Sequence, residues 1–128
     1  MKIEHVCLNV HDLESEKAFY VTYFGFVANQ KYTNPKSGWS NYFLSSPTGG
    51  ARLELLCHAD VKPNDSPLFR GGLIHLSVAL GSKEAVVLLT ERLRQDGYTV
   101  FSEPRQTGDG YFESGVLDPE GNRLELTI

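Results

Sequence analysis

The sequence predicts an α+β protein built from two tandem β-α-β-β-β modules, and three observations carry that expectation. The stretch Arg52-Leu53-Glu54-Leu55 returns unchanged as Arg123-Leu124-Glu125-Leu126. Upstream of each copy stands a strand-like run with one histidine, Ile3-Glu4-His5-Val6-Cys7-Leu8 and Leu73-Ile74-His75-Leu76-Ser77-Val78. In each half a helical segment and turn-punctuated strand segments lie between the histidine and the glutamate, about fifty residues apart. The modules cover about residues 1–58 and 72–128 of a single 128-residue domain, joined by a 59–71 connector. The stretch from His58 to Gly72 carries Pro63, Asn64, Asp65, Pro67 and Gly71-Gly72 and reads as this connection.

In the first module, residues from Ile3 to Val10 alternate. Val6, Leu8 and Val10 share one face, and His5, Cys7 and Asn9 the other. Asp12 reads as the N-cap of a helix that runs to about Phe24, with Gly25 closing it and Leu13, Phe19, Tyr20 and Tyr23 as its buried stripe. Strands are expected at Phe26 to Tyr32, Trp39 to Leu44 and Arg52 to Cys57, separated by Asn34-Pro35 and Pro47-Thr48-Gly49-Gly50.

The second module repeats the plan. From Leu73 to Leu80, Ile74, Leu76, Val78 and Leu80 face one way, and His75 and Ser77 the other. Ser82 caps a helix to about Asp96 with Gly97 after it, and Ala85, Val86, Leu89 and Leu93 follow helical spacing. Strands follow at Tyr98 to Phe101 and Tyr111 to Leu117. Asp118-Pro119-Glu120-Gly121-Asn122 then turns the chain into the last strand, Arg123 to Ile128.

Composition narrows the function classes. The formal charge of −4 without a Lys/Arg cluster points away from nucleic acid and anionic membrane as partners. No apolar run is long enough to span a bilayer, and the N-terminus enters a strand pattern directly. Two scattered cysteines, Cys7 and Cys57, make no disulfide framework and read as reduced thiols. A cytoplasmic protein that acts on a small molecule is the expectation.

Period-two alternation turns Leu53 and Leu55 away from Glu54, and Leu124 and Leu126 away from Glu125. His5, Glu54, His75 and Glu125 are therefore expected on the non-core faces of their sheets. If the modules pair about a pseudo-twofold axis, these faces line one cleft. Two imidazoles and two carboxylates form a nitrogen/oxygen donor set suited to a divalent ion such as Ni²⁺, Co²⁺, Fe²⁺, Mn²⁺ or Zn²⁺. A single strand histidine or exposed glutamate is ordinarily structural or solvated. It is the matched duplication of both that points to a metal.

With these residues in hand, the chain resembles the vicinal oxygen chelate superfamily, and within it the bacterial glyoxalase I branch. The marks are His5 in the first strand, the helix from Leu13 through Ala18-Phe19-Tyr20 to Phe24-Gly25-Phe26, Leu53-Glu54-Leu55, Leu73-Ile74-His75, and Asp118-Pro119-Glu120-Gly121-Asn122 before Leu124-Glu125-Leu126. The resemblance implies paired modules forming a cupped mixed sheet around a metal, and a homodimer. It implies a His/Glu/His/Glu ligand set completed by water. A histidine rather than glutamine in the first position is similar to the enzymes that favour Ni²⁺ or Co²⁺, with Zn²⁺ as a further candidate. The implied reaction isomerises the hemithioacetal of methylglyoxal and a thiol to a 2-hydroxyacyl thioester. Glu125 would be the principal base and Glu54 a ligand that shares the proton shuttling, with His5 and His75 as fixed ligands.

The sequence departs from that pattern at Asn9, where glutathione-using relatives commonly carry an arginine on the face of the first ligand. Asn9 is thus the candidate substrate-binding residue, and an amide cannot replace a charge-assisted fork. Cys57-His58 stands where an asparagine often follows the first glutamate. Arg52, Arg70, Arg105 and Lys36 are the available cations, each read as surface charge, and His11 and His58 are read as surface residues. The thiol is left open. Two other readings stand beside the lyase: another enzyme of the superfamily (an epimerase or an antibiotic-modifying thiol transferase), and a non-catalytic small-molecule-binding protein on the same fold.

Overall fold

The computed structural model describes residues 1–63 and 71–128. They fall into two compact units, one ending at Pro63 and the other running to Ile128. The connector residues Asn64, Asp65 and Pro67, together with Arg70, lie outside the described residues.

The first unit runs β1 (His5–Asn9), α1 (Leu13–Phe24), β2 (Val27–Ala28), β3 (Tyr32–Thr33), β4 (Ser40–Ser45) and β5 (Arg52–Cys57). Its sheet has the order β1-β5-β4-β2, with β3 also on β4. The parallel β1–β5 pair requires a crossover, which α1 begins, and the other pairs are antiparallel. α1 starts where Asp12 accepts the Ser15 N–H at 3.0 Å. It stops at Gly25, whose left-handed φ of 66° suits a residue without Cβ. The N–H groups of Gly25 and Phe26 donate to Val21 and Tyr20 carbonyls at 3.2 and 3.4 Å.

α1 packs on β4, β5 and β2. Between them are buried Val10, Leu13, Phe19, Tyr20, Tyr42, Leu44, Leu53 and Leu55. Each large side chain so buried stabilises the unit by about 1.5–3 kcal/mol. The helix stripe differs from expectation at two positions: Glu16 is wholly buried, and Tyr23 is only half-buried. The single strand expected at Phe26 to Tyr32 is split as well. Asn29 accepts the Phe43 N–H on its side-chain oxygen at 2.8 Å, taking a bond a strand carbonyl would take. The pairing slips by one residue between Ala28↔Leu44 and Tyr32↔Asn41.

The second unit runs β6 (Leu76–Ala79), α2 (Lys83–Gln95), β7 (Val100–Gln106), β8 (Phe112–Leu117) and β9 (Arg123–Thr127), with sheet order β6-β9-β8-β7. Each unit therefore pairs its first strand in parallel with its last, across the helix. Ser82 caps α2 by accepting the Ala85 N–H at 3.1 Å, and Gly97 follows it at a φ of 91°. The buried face of α2 is Val86, Thr90 and Leu93, with Thr90 in place of the expected Leu89. Thr90 is tolerated there because its hydroxyl donates to Val86 O and shares a 2.6 Å bond with Ser114 Oγ. β7 is longer than expected and contains Pro104. An edge strand with irregular register accommodates a residue that lacks an N–H. β6 is shorter, so His75 stands just before the ladder that opens at Leu76↔Leu124.

Both cysteines are free thiols. Among the described residues, no helix is long and apolar enough to cross a membrane.

Candidate metal centre

The first half of the candidate site is set by register. Parallel pairing places Cys7 beside Glu54 and His5 beside Arg52, while β4 places Phe43 on the other side of Glu54. Leu53 and Leu55 turn into the core, so Glu54 projects to the opposite face. There His5 Nε2 approaches Glu54 Oε2 to 3.5 Å, and Asn41 donates to Glu54 Oε1 at 2.6 Å. The imidazole stands edge-on to the Phe43 ring, 5.4 Å between centroids. Its Nδ1 lies 2.5 Å from Glu4 Oε2, and a carboxylate can only accept, so Nδ1 donates. Glu4 in turn accepts from Arg52 Nε at 2.7 Å, and the guanidinium lies 4.2 Å over Phe43. The hydrogen bond from His5, and then Arg52, hold the Glu4 carboxyl below its ordinary range. Burial of the thiol against the sheet face and the charge of Glu54 push Cys7 up to about 11.

The second half repeats the plan with different supports. Ser77 and Gly115 flank Glu125 in register. His75 Nε2 lies 3.7 Å from Glu125 Oε2, and Ser77 Oγ donates to Oε1 at 2.6 Å. Gly115 takes the place that Phe43 has beside Glu54. A Cβ there would meet the Phe101 ring at 2.5 Å, so Phe101 from β7 fills the space Gly115 leaves. Arg123 lies 4.5 Å over that ring, as Arg52 lies over Phe43. Glu113 is a further carboxylate here. Burial and the charge of Glu125 raise its pKa, and Arg105, at 3.4 Å, works against them.

The structure thus brings His5 to Glu54 and His75 to Glu125, one pair in each unit. Among the described residues, no group of three or more His, Cys, Asp or Glu side chains is assembled around one point. Asn9 ends β1 on the exposed face it shares with His5 and Cys7. Of the cations considered, Arg52 is committed to Glu4 and Arg105 to Glu113 and Ser102. His58 is more than a surface residue: it is half-buried and stacks on Trp39 at 5.0 Å.

Whether these donors suit a metal is a question of spacing. Two donor atoms about 2.1 Å from a common ion lie about 3.0–3.4 Å apart at octahedral or tetrahedral angles. Separations of 3.5 and 3.7 Å are close to that and too long for a good hydrogen bond. Each carboxylate has its other oxygen held by Asn41 or Ser77, as outer partners of ligands commonly do. The residues fit.

Sequence reasoning missed Glu4, Asn41 and Glu113, and did not connect Ser77 with Glu125. Ser77 was findable, because it stands two residues after His75 as Cys7 stands after His5. Asn41 and Glu113 depend on β4 and β8 register, which no local pattern announces.

Comparison with known proteins agrees with this architecture. Residues 2–126 match the family model of the glyoxalase/bleomycin resistance protein/dioxygenase superfamily. A catechol-2,3-dioxygenase of Bacillus subtilis (strain 168) is 30% identical over 98 residues, 77% of this chain. The chain spans about a third of that relative's length, 33%. The glyoxylase/bleomycin resistance protein/dioxygenase domain from Frankia sp. EAN1pec superposes with a TM-score of 0.84 at 21% identity, covering 100% of this chain and 97% of that one. Glyoxalase I from Zea mays superposes at 0.78 with 24% identity over 98% of this chain and 44% of its own. The family match over nearly the whole sequence, on a fold that repeats one strand-helix-strand plan twice, makes the chain a member of the glyoxalase/bleomycin resistance protein/dioxygenase superfamily.

Proposed function

We propose that this protein is a metal-dependent lyase of the glyoxalase I type, isomerising the hemithioacetal of a 2-oxoaldehyde and a thiol to a 2-hydroxyacyl thioester. The observation that carries the reading is the duplicated histidine–glutamate pair, at 3.5 and 3.7 Å, in a member of this superfamily. His5 and His75 would hold the ion through Nε2, and Glu54 and Glu125 through the carboxylate oxygen turned to each histidine. Ni²⁺ or Co²⁺ is favoured over Zn²⁺, and a homodimer is the assembly we expect.

A bound divalent ion supplies Lewis-acid stabilisation of the negative charge that develops on the two adjacent substrate oxygens. Glu125 removes the proton from the carbon bearing sulfur and returns it to the neighbouring carbonyl carbon. The hydroxyl proton passes between the two oxygens, so substrate and product are isomers and no external oxidant is needed. Ser77 keeps Glu125 oriented through Oε1. Glu54, its Oε1 held by Asn41, is a ligand that shares the shuttle.

A second reading is ring-cleaving oxygenation, favoured by the sequence similarity to the Bacillus subtilis catechol-2,3-dioxygenase. Ring-cleaving relatives typically hold iron with two histidines and one carboxylate, whereas this chain has a carboxylate in each half.

The test is thioester formation from methylglyoxal and glutathione by protein reloaded separately with Ni²⁺ and Zn²⁺, beside catechol cleavage by Fe²⁺-loaded protein under oxygen. Thioester formation that is strongest with Ni²⁺ supports the lyase. Catechol cleavage without thioester formation replaces it with the dioxygenase. Bound metal with neither activity removes glutathione and directs the search to other thiols.

A further inference from the structure

Glu4 stands just before β1 and contacts the candidate ligand His5 directly. Its Oε2 lies 2.5 Å from His5 Nδ1, and its Oε1 accepts from Arg52 Nε at 2.7 Å and Nη2 at 2.5 Å. Arg52 is anchored twice more: its backbone N–H donates to Glu4 O at 2.9 Å, and its guanidinium lies over Phe43. Phe43 also receives the edge of the His5 ring. The chain Phe43–Arg52–Glu4–His5 is therefore closed on itself around one imidazole.

A neutral imidazole carries one N–H, and the nitrogen that lacks it offers the lone pair. With Nδ1 donating to Glu4, that lone pair is at Nε2, the nitrogen facing Glu54. Among the described residues, His75 has no such device. Ile74 stands at the position of Glu4, and an aliphatic side chain accepts no hydrogen bond. Arg123 keeps its ring contact, now with Phe101.

We propose that Glu4 is a positioning residue for His5, holding it as the Nδ1–H tautomer with Nε2 turned to Glu54, so that the first half-site is preset and the second is not. The consequence for metal binding rests on the reading of His5 and Glu54 as ligands; the tautomer does not. A preset half gives an incoming ion a ready pair of donors. In the second half Ser77 holds Glu125, and His75 alone is left room to adjust.

The test uses the metal-free full chain labelled with ¹⁵N at about pH 8, where an ordinary imidazole is neutral. Long-range ¹H–¹⁵N correlations, assigned with single histidine substitutions, report the tautomer of each ring. The expected result is a single Nδ1–H form for His5 and an ordinary mixture for His75. Glu4→Ala should return His5 to a mixture, while Glu4→Gln, whose amide oxygen still accepts, should retain the Nδ1–H form. Ni²⁺ affinity, from competition with a chelator, should fall about 10-fold in Glu4→Ala and less in Glu4→Gln. A wild-type His5 protonated on Nε2, or a tautomer unchanged in Glu4→Ala, overturns the proposal. So does an Ni²⁺ affinity unmoved by a tautomer that has changed. A Glu4-dependent tautomer in a wild-type protein that binds no Ni²⁺ supports the positioning role and removes the lyase reading.

Discussion

His5 Nε2 faces Glu54 Oε2 at 3.5 Å while Asn41 holds the other carboxylate oxygen at 2.6 Å. His75 and Glu125 repeat the relationship at 3.7 Å, with Ser77 in the part of Asn41. In each unit the carboxylate is oriented by a neutral donor, and the oxygen left toward the histidine is the one a metal would take.

Replacing either glutamate with glutamine keeps its shape and removes its charge. Since loss of an outer partner alone typically costs 10–100-fold, Glu54→Gln and Glu125→Gln should each weaken Ni²⁺ binding by about 100-fold or more, measured against a chelator. Glu125→Gln should abolish thioester formation more completely than its metal loss accounts for. Equal losses of turnover and metal would make Glu125 a ligand and nothing more.

Cys7 sits beside Glu54 on the exposed strand face, yet its thiol is held near 11 against an ordinary 9.0. The thiolate fraction at about pH 8 is then about 100-fold lower than for an ordinary thiol. Alkylation of Cys7 by iodoacetamide, followed by mass spectrometry of its peptide, should be slower by about that factor. Glu54→Gln should speed it by removing the neighbouring charge. A Cys7 that reacts at the rate of a free thiol would contradict this account of its surroundings.

Glu14 joins Lys17, Lys31 and the Tyr42 hydroxyl at the start of α1. Its hydrogen bond from Lys17, followed by those from Lys31 and Tyr42, lowers its carboxyl from 4.5 to about 2. Because the folded value is the lower one, the cluster stabilises the native state above about pH 4.5, and that contribution fades as pH falls toward 2. The side chain is 53% exposed, so solvent screening limits the effect to about 0.5–1 kcal/mol. Urea unfolding should show Glu14→Gln less stable than wild type by that amount at neutral pH and equal to it near pH 2.

Gly115 leaves the room that Phe101 occupies. A methyl group in Gly115→Ala must push the ring away from Arg123, costing about 1–3 kcal/mol. With Phe101→Ala already in place, the same change should cost much less, so a double-mutant cycle should show a clear coupling energy. Additive costs would mean that the ring contact is not what keeps position 115 empty.

Much of the fold was legible because it is written locally. Asp12 and Ser82 cap the helices that their positions announce, and Gly25 and Gly97 follow those helices. The errors came where a side chain acts as backbone or where pairing decides the length. Asn29 splits a strand by accepting the Phe43 N–H, and β7 extends through Pro104 because an edge strand permits it.

What the sequence by itself determined is which residues share a face. Strict alternation sends Leu53, Leu55, Leu124 and Leu126 to the core and their glutamates to the other side, and the repeat places one histidine with each. Only the tertiary structure decided what surrounds them. That Asn41 holds Glu54 Oε1, that Glu4 closes on His5 through Arg52, and that Phe101 does for Arg123 what Phe43 does for Arg52 all follow from strand register. Register is a property of two strands at once, set by pairing between residues distant in sequence, and no single stretch of the chain contains it.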